Sequence, residues 1–161
     1  YLSGFRQTAE HAEDVRQVVR WLRAQYRLPV WLVGTSRGTQ SVAAVAVRLA
    51  GETDSPDGIV LTSSILRGND GSRPLPAMAL EKLALPVLVV HHEQDGCRLC
   101  LYSDLPALTQ KLTHLKRTAL QTTRGGMNRG DPCEAQAYHG YNGIEPQVVG
   151  DIANWIKETK P

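Results

Sequence analysis

Three side chains in this sequence have types and settings suited to nucleophilic chemistry. They are Ser36 in Gly34-Thr35-Ser36-Arg37-Gly38, Asp95 in His91-His92-Glu93-Gln94-Asp95-Gly96, and His139 in Tyr138-His139-Gly140-Tyr141. A serine hydroxyl is a weak nucleophile at neutral pH unless a base takes its proton, and a histidine base needs a carboxylate to orient its ring. Two glycines flanking a serine are a weak pattern alone, and they also fit a serine that caps an ordinary helix. The setting strengthens the pattern: the apolar run 30–33 reads as a strand ending at Gly34, and a helical pattern of small apolar residues begins directly after Ser36. Such a sharp strand-to-helix turn strains the central residue and brings strand and helix close together. A Cβ at either Gly34 or Gly38 is therefore expected to clash.

The elements that must hold these residues alternate along the chain. Periodicity and turn residues predict a helix over 8–26, strands over 30–33, 58–62, 87–91 and 117–122, and helices over 37–49 and 146–157. A further helix is expected from a cap at Ser103 or Asp104 to about residue 115, with loops over 64–76 and 124–142. Short apolar strands separated by helices predict an α/β fold, a mostly parallel sheet with helices on both faces, in one domain over residues 1–161. Asp95 then lies just past the end of the third strand. His139 lies in the loop before the last helix, giving the chain order serine, acid, histidine. Asp70 and Glu93 are rival acids, and His11, His91, His92 and His114 are rival bases that need no role beyond packing or surface.

The stretches VWLVGTSRGT, PVLVVHHEQDGC and YHGYNGIEPQVVGDIANWI, together with their order, resemble the second half of an α/β-hydrolase over nearly the whole chain. The resemblance implies that Ser36 is the nucleophile, His139 the general base and then acid, Asp95 the orienting carboxylate, and the Arg37 backbone N–H one oxyanion-hole donor. The segment PCEAQAYHGYNGIE is similar to a bacterial exported branch of that family. The strands that precede the nucleophile strand in the family, and the loop that supplies a second oxyanion donor, have no counterpart here. The chain is thus expected to be the C-terminal portion of a longer protein, lacking the N-terminal strands, with residues 30–33 as an uncovered edge. A preceding half or a second copy pairing along that edge is the expected partner.

Cys97, Cys100 and Cys133 leave three readings open: a Cys3His zinc site with His139, a Cys97–Cys133 disulfide, or free thiols. The zinc site would consume the only well-placed base. The disulfide would tie the acid loop to the histidine loop, contribute about 3 to 4 kcal/mol by loop-closure entropy, and imply the periplasm or a secreted location. Hydrophobic residues at 42%, a formal charge of +2 and the absence of a long apolar run exclude a nucleic-acid-binding surface and a membrane-spanning helix. Arg16, Arg20, Arg23 and Arg27 read as a solvated stripe opposite an apolar stripe of Val15, Val18, Val19, Leu22 and Tyr26. Arg129-Gly130-Asp131 reads as chance loop sequence. The function expected is a serine hydrolase acting on a carboxylic ester, less readily an amide, with no cofactor and no metal. The competing class is a non-catalytic module of the same fold, or an inactive fragment.

Overall fold

The computed structural model describes residues 4–68 and 71–158. Three strands form where apolar runs are bounded by Pro or Gly, β1 (Trp31–Thr35), β2 (Gly58–Thr62) and β3 (Val87–His92), and the more polar β4 (Thr118–Thr123) completes the sheet. All neighbours pair in parallel in the order β1-β2-β3-β4, with Val33 beside Val60, Val60 beside Leu88 and Leu88 beside Ala119. β2 and β3 are buried along their whole length, as continuous apolar runs in a parallel sheet should be. The edge strand β4 alternates exposed and half-buried residues over most of its length.

Helices cover both faces. α1 (Ala9–Tyr26) starts where Thr8 Oγ1 accepts from the His11 N–H, and ends at Arg27 in the left-handed region ahead of Pro29. α2 (Arg37–Arg48) lays Val42, Ala43 and Ala46 on Ile59, Leu61, Val87 and Val89. Small residues at 43, 44 and 46 let this helix sit close to the sheet. α3 (Leu105–Thr109) and the turn of 3-10 helix after it add Leu105, Leu108 and Leu112 to the same core. The opposite face belongs to α4 (Glu145–Glu158), where Val148 packs with Val60, Leu88 and Val90, and Trp155 meets Trp31 edge-to-face at 5.6 Å. The period-2 alternation of β2, with Ile59 and Leu61 on one side and Val60 on the other, places one buried residue set in each core.

Three expectations need correction. The helix foreseen to residue 115 breaks into α3 and turns of 3-10 helix, and Asp104 makes no cap bond because its carboxylate pairs with Arg67. The stripe assigned to the core on α1 is displaced: Val19 is buried, but Val18 and Tyr26 are 56% and 61% exposed. The arginines are not a plain solvated face either, since Arg20 bridges to Asp54 and Arg23 to Asp57, fastening α1 to the loop before β2. Cys97 and Cys133 form a disulfide with Cα atoms 4.5 Å apart, and Cys100 is free and buried. No helix among the described residues is long and apolar enough to cross a membrane.

Candidate active site

β1 delivers its chain to Ser36 with φ 52° and ψ −119°. A side chain at positive φ costs on the order of 1–3 kcal/mol, and it persists only when its surroundings hold it. Here the Ser36 N–H donates to Thr62 O at 3.0 Å, while Ser36 O accepts from the Thr39 N–H at 2.9 Å and from Thr39 Oγ1 at 2.6 Å. Ser36 makes no side-chain cap bond, so the ordinary capping serine is not what this turn contains. A Cβ on Gly34 would come within 2.5 Å of Gly38 O, the expected close approach. The same expectation fails at Gly38, where a Cβ would meet open space, because this residue turns its hydrogen away from the strand.

Asp95 sits in the turn after β3, its N–H donating to His92 O and its Oδ1 accepting from the Cys97 N–H at 2.9 Å. Its other oxygen, Oδ2, lies 2.9 Å from His139 Nδ1, and the two residues are 4% and 3% exposed. A carboxylate can only accept, so Nδ1 carries the proton of this bond. Nε2 is buried without a hydrogen-bond partner, and Ser36 Oγ makes no hydrogen bond to it. Arg37 opens α2, so its N–H belongs to the first turn, where amides lack an intrahelical acceptor.

The loop carrying His139 is clasped to the sheet by residues that sequence reasoning missed. Ser63, at φ 46° just past β2, donates from Oγ to His139 O at 2.6 Å, and its N–H donates to Tyr141 Oη at 3.0 Å. Tyr141 in turn donates to Val90 O at 2.9 Å, and burial pushes its phenol well above the usual range. His92 stacks on Tyr138 at 4.4 Å and bonds Gly125 O. The only advance signal for Ser63 was its place at the same end of the sheet as Ser36 and Asp95.

Of the rival bases, His91 is more than packing. It is fully buried, its Nε2 bonds Cys100 O at 2.6 Å and lies 3.5 Å from Asp95 Oδ2. Burial pushes its pKa down, against the smaller upward pull of the Cys100 carbonyl and Asp95. His11 contacts Ser41, and His114 bonds Leu83 O. Glu93 pairs with Arg124 rather than with a histidine, and Asp70 lies outside the described residues. Cys97, Cys100 and His139 bring ligand atoms within 4.8 Å of one another, but Cys97 in its disulfide has no thiolate to offer a metal. Burial also pushes the Cys100 thiol far above its usual range. A cavity of about 770 Å³ opens at Ser36, bounded by the disulfide and residues 96–99.

No family model matches the sequence, and no curated protein matches it either. Solved structures do match. An esterase from Pyrococcus furiosus superposes with a TM-score of 0.61 over 91% of this chain and 61% of its own, at 13% identity. A cold-adapted esterase from an Arctic intertidal metagenomic library gives 0.56 over 73% of this chain and 47% of its own, at 21% identity. An α/β serine hydrolase without a lid from Xanthomonas campestris gives 0.53 over 93% and 58%, at 17% identity. Sheet, helices and turn together define the fold as that of the α/β-hydrolases, and the chain spans about half to three fifths of the length of these structures.

Proposed function

We propose that this chain carries the catalytic residues of a serine hydrolase that cleaves a carboxylic ester, and less readily an amide, through an acyl-enzyme. The observation that carries the reading is Ser36 held at φ 52° at the end of β1, in a molecule whose only buried carboxylate–imidazole hydrogen bond among the described residues is Asp95–His139. In this mechanism Ser36 Oγ attacks the ester carbonyl as His139 Nε2 takes its proton. Asp95 holds the ring in the Nδ1–H tautomer and stabilises the imidazolium. The C–O bond to the alcohol then breaks, with the proton passing from Nε2 to the leaving oxygen, and water repeats the sequence on the acyl-enzyme. The Arg37 N–H serves as one donor to the oxyanion. The second donor is proposed to come from a preceding segment of the natural protein that pairs along the free edge of β1, which the greater length of the similar structures supports. A missing oxyanion donor costs about 3 to 4 kcal/mol, so the chain alone is expected to be a poor catalyst. The disulfide supports a periplasmic or secreted location.

A non-catalytic module is the second reading, favoured by the open link between Ser36 Oγ and His139 Nε2. Intact mass after treatment with a fluorophosphonate probe separates the two, on this chain and on a chain extended by the proposed preceding segment. The enzyme reading expects one adduct, absent from Ser36→Ala. No adduct on either chain leaves the non-catalytic module.

A further inference from the structure

The chain neutralises many of its arginines: Arg16, Arg20, Arg23, Arg67 and Arg124 each make an ion pair with a carboxylate. Others are left without a carboxylate, and two of these stand beside Ser36. Arg6, in the turn of 3-10 helix before α1, and Arg98, between the bridged Cys97 and the buried Cys100, both line the cavity at Ser36. Neither makes an ion pair or a side-chain hydrogen bond among the described residues. Arg37, adjoining the serine, lines the same cavity. The cavity's carboxylates, Asp131 and Glu134, lie together in one turn, with the Glu134 N–H donating to Asp131 O and Asp131 Oδ1 accepting from the Cys133 N–H. Arg6 and Arg98 thus reach the cavity from two separate segments, each without a carboxylate partner among the described residues, while the cavity's carboxylates share a single turn. Arg98 is also well located, because Cys97 on one side is held by the disulfide and by Asp95, and Cys100 on the other is buried.

We propose that this site is selective for esters bearing an anionic group, seated between Arg6 and Arg98; the proposal rests on the hydrolase reading above. A guanidinium left without a carboxylate binds an incoming carboxylate or phosphate as a planar, permanently charged fork, and the partner it meets here is the substrate.

The test compares size-matched esters on the present chain and on a chain extended by the proposed preceding segment. Mono-p-nitrophenyl glutarate against p-nitrophenyl pentanoate places the charge on the acyl side. p-Acetoxybenzoate against p-tolyl acetate places it on the alcohol side. The charged member of at least one pair should show kcat/KM about tenfold higher, the scale of two partly exposed ion pairs. That preference should shrink as salt rises from about 0.05 to 0.5 M. Arg6→Glu with Arg98→Glu should reverse the ratio, and Arg6→Gln with Arg98→Gln should bring it toward one if the first pair of changes unfolds the protein. Ser36-dependent turnover with equal rates in both pairs, or a preference untouched by these variants, overturns the proposal and leaves the hydrolase reading standing. If no ester is turned over, the hydrolase reading fails, and binding of glutarate followed by NMR decides the anion site. Saturable binding abolished by the Arg6 and Arg98 changes upholds that site, and no binding rejects it.

Discussion

One oxygen of Asp95 faces two imidazoles, His139 Nδ1 at 2.9 Å and His91 Nε2 at 3.5 Å. The Nε2 proton of His91 already goes to Cys100 O, so the carboxylate is left to His139. In the proposed mechanism His139→Ala should be about as damaging as Ser36→Ala, on the order of 10⁴-fold or more in kcat/KM, and Asp95→Asn should leave roughly ten- to a hundredfold more activity. An Asp70→Asn variant that lost more activity than Asp95→Asn would move the acid elsewhere. His91 makes a separate prediction for stability. Its folded pKa lies below the ordinary value of about 6.5, chiefly because burial disfavours the charged ring. Above about pH 6.5 the ring is neutral in both states and contributes no pH dependence. As pH falls from there through the lowered folded value, the unfolded chain takes up the proton first and stability is lost. His91→Gln keeps an N–H for the Cys100 carbonyl and cannot titrate, so its urea midpoint should fall less steeply below about pH 6.5 than that of the unaltered protein. Parallel curves for the two proteins would refute this.

At the scale of elements, the junction of β1 and α2 rests on one glycine rather than two. Gly34→Ala drives a methyl group to 2.5 Å from backbone at Gly38, which cannot rotate away, and should cost about 2 kcal/mol or more. Gly38→Ala meets open space inside the first turn of a helix and should be neutral or stabilising by about 0.5–1 kcal/mol. Urea denaturation of the two variants checks the contrast, and equal losses would show that the close approach is not what holds the turn. Helix α3 illustrates a local signal overruled. Pro106 fits its first turn, but Asp104 is drawn to Arg67, and the chain continues as 3-10 turns that bury Leu108 and Leu112.

At the scale of the whole molecule, β1 pairs on one side only among the described residues, and Val33 within it (54%) and Leu28 just before it (64%) are exposed. An apolar strand edge with unpaired backbone groups is a template for further pairing. The isolated chain should therefore self-associate or lose solubility as its concentration rises, and Val33→Lys should reduce this by placing a charge on the edge. Light scattering over a concentration series is the measurement. A monomer at every concentration would show that the edge is protected from within.

The order of strands and helices and the turn at Ser36 were legible in the sequence, because each depends on residues a few positions apart. Apolar runs bounded by Pro86 or Gly58 and small residues after Gly34 carry their own periodicity and turn chemistry. The rest depends on which strand ends the crossovers bring together, and spacing along a chain holds no record of distance in space. Only the tertiary structure brought Asp95 to His139 across 44 residues and closed the Ser63–Tyr141–Val90 clasp behind it. It also decided for the Cys97–Cys133 disulfide over the zinc-site and free-thiol readings, and turned Val18 and Tyr26 outward while Val19 went in. Helical period alone leaves the buried stripe of α1 uncertain by one residue in each turn, and contact with β1 and α2 decides it.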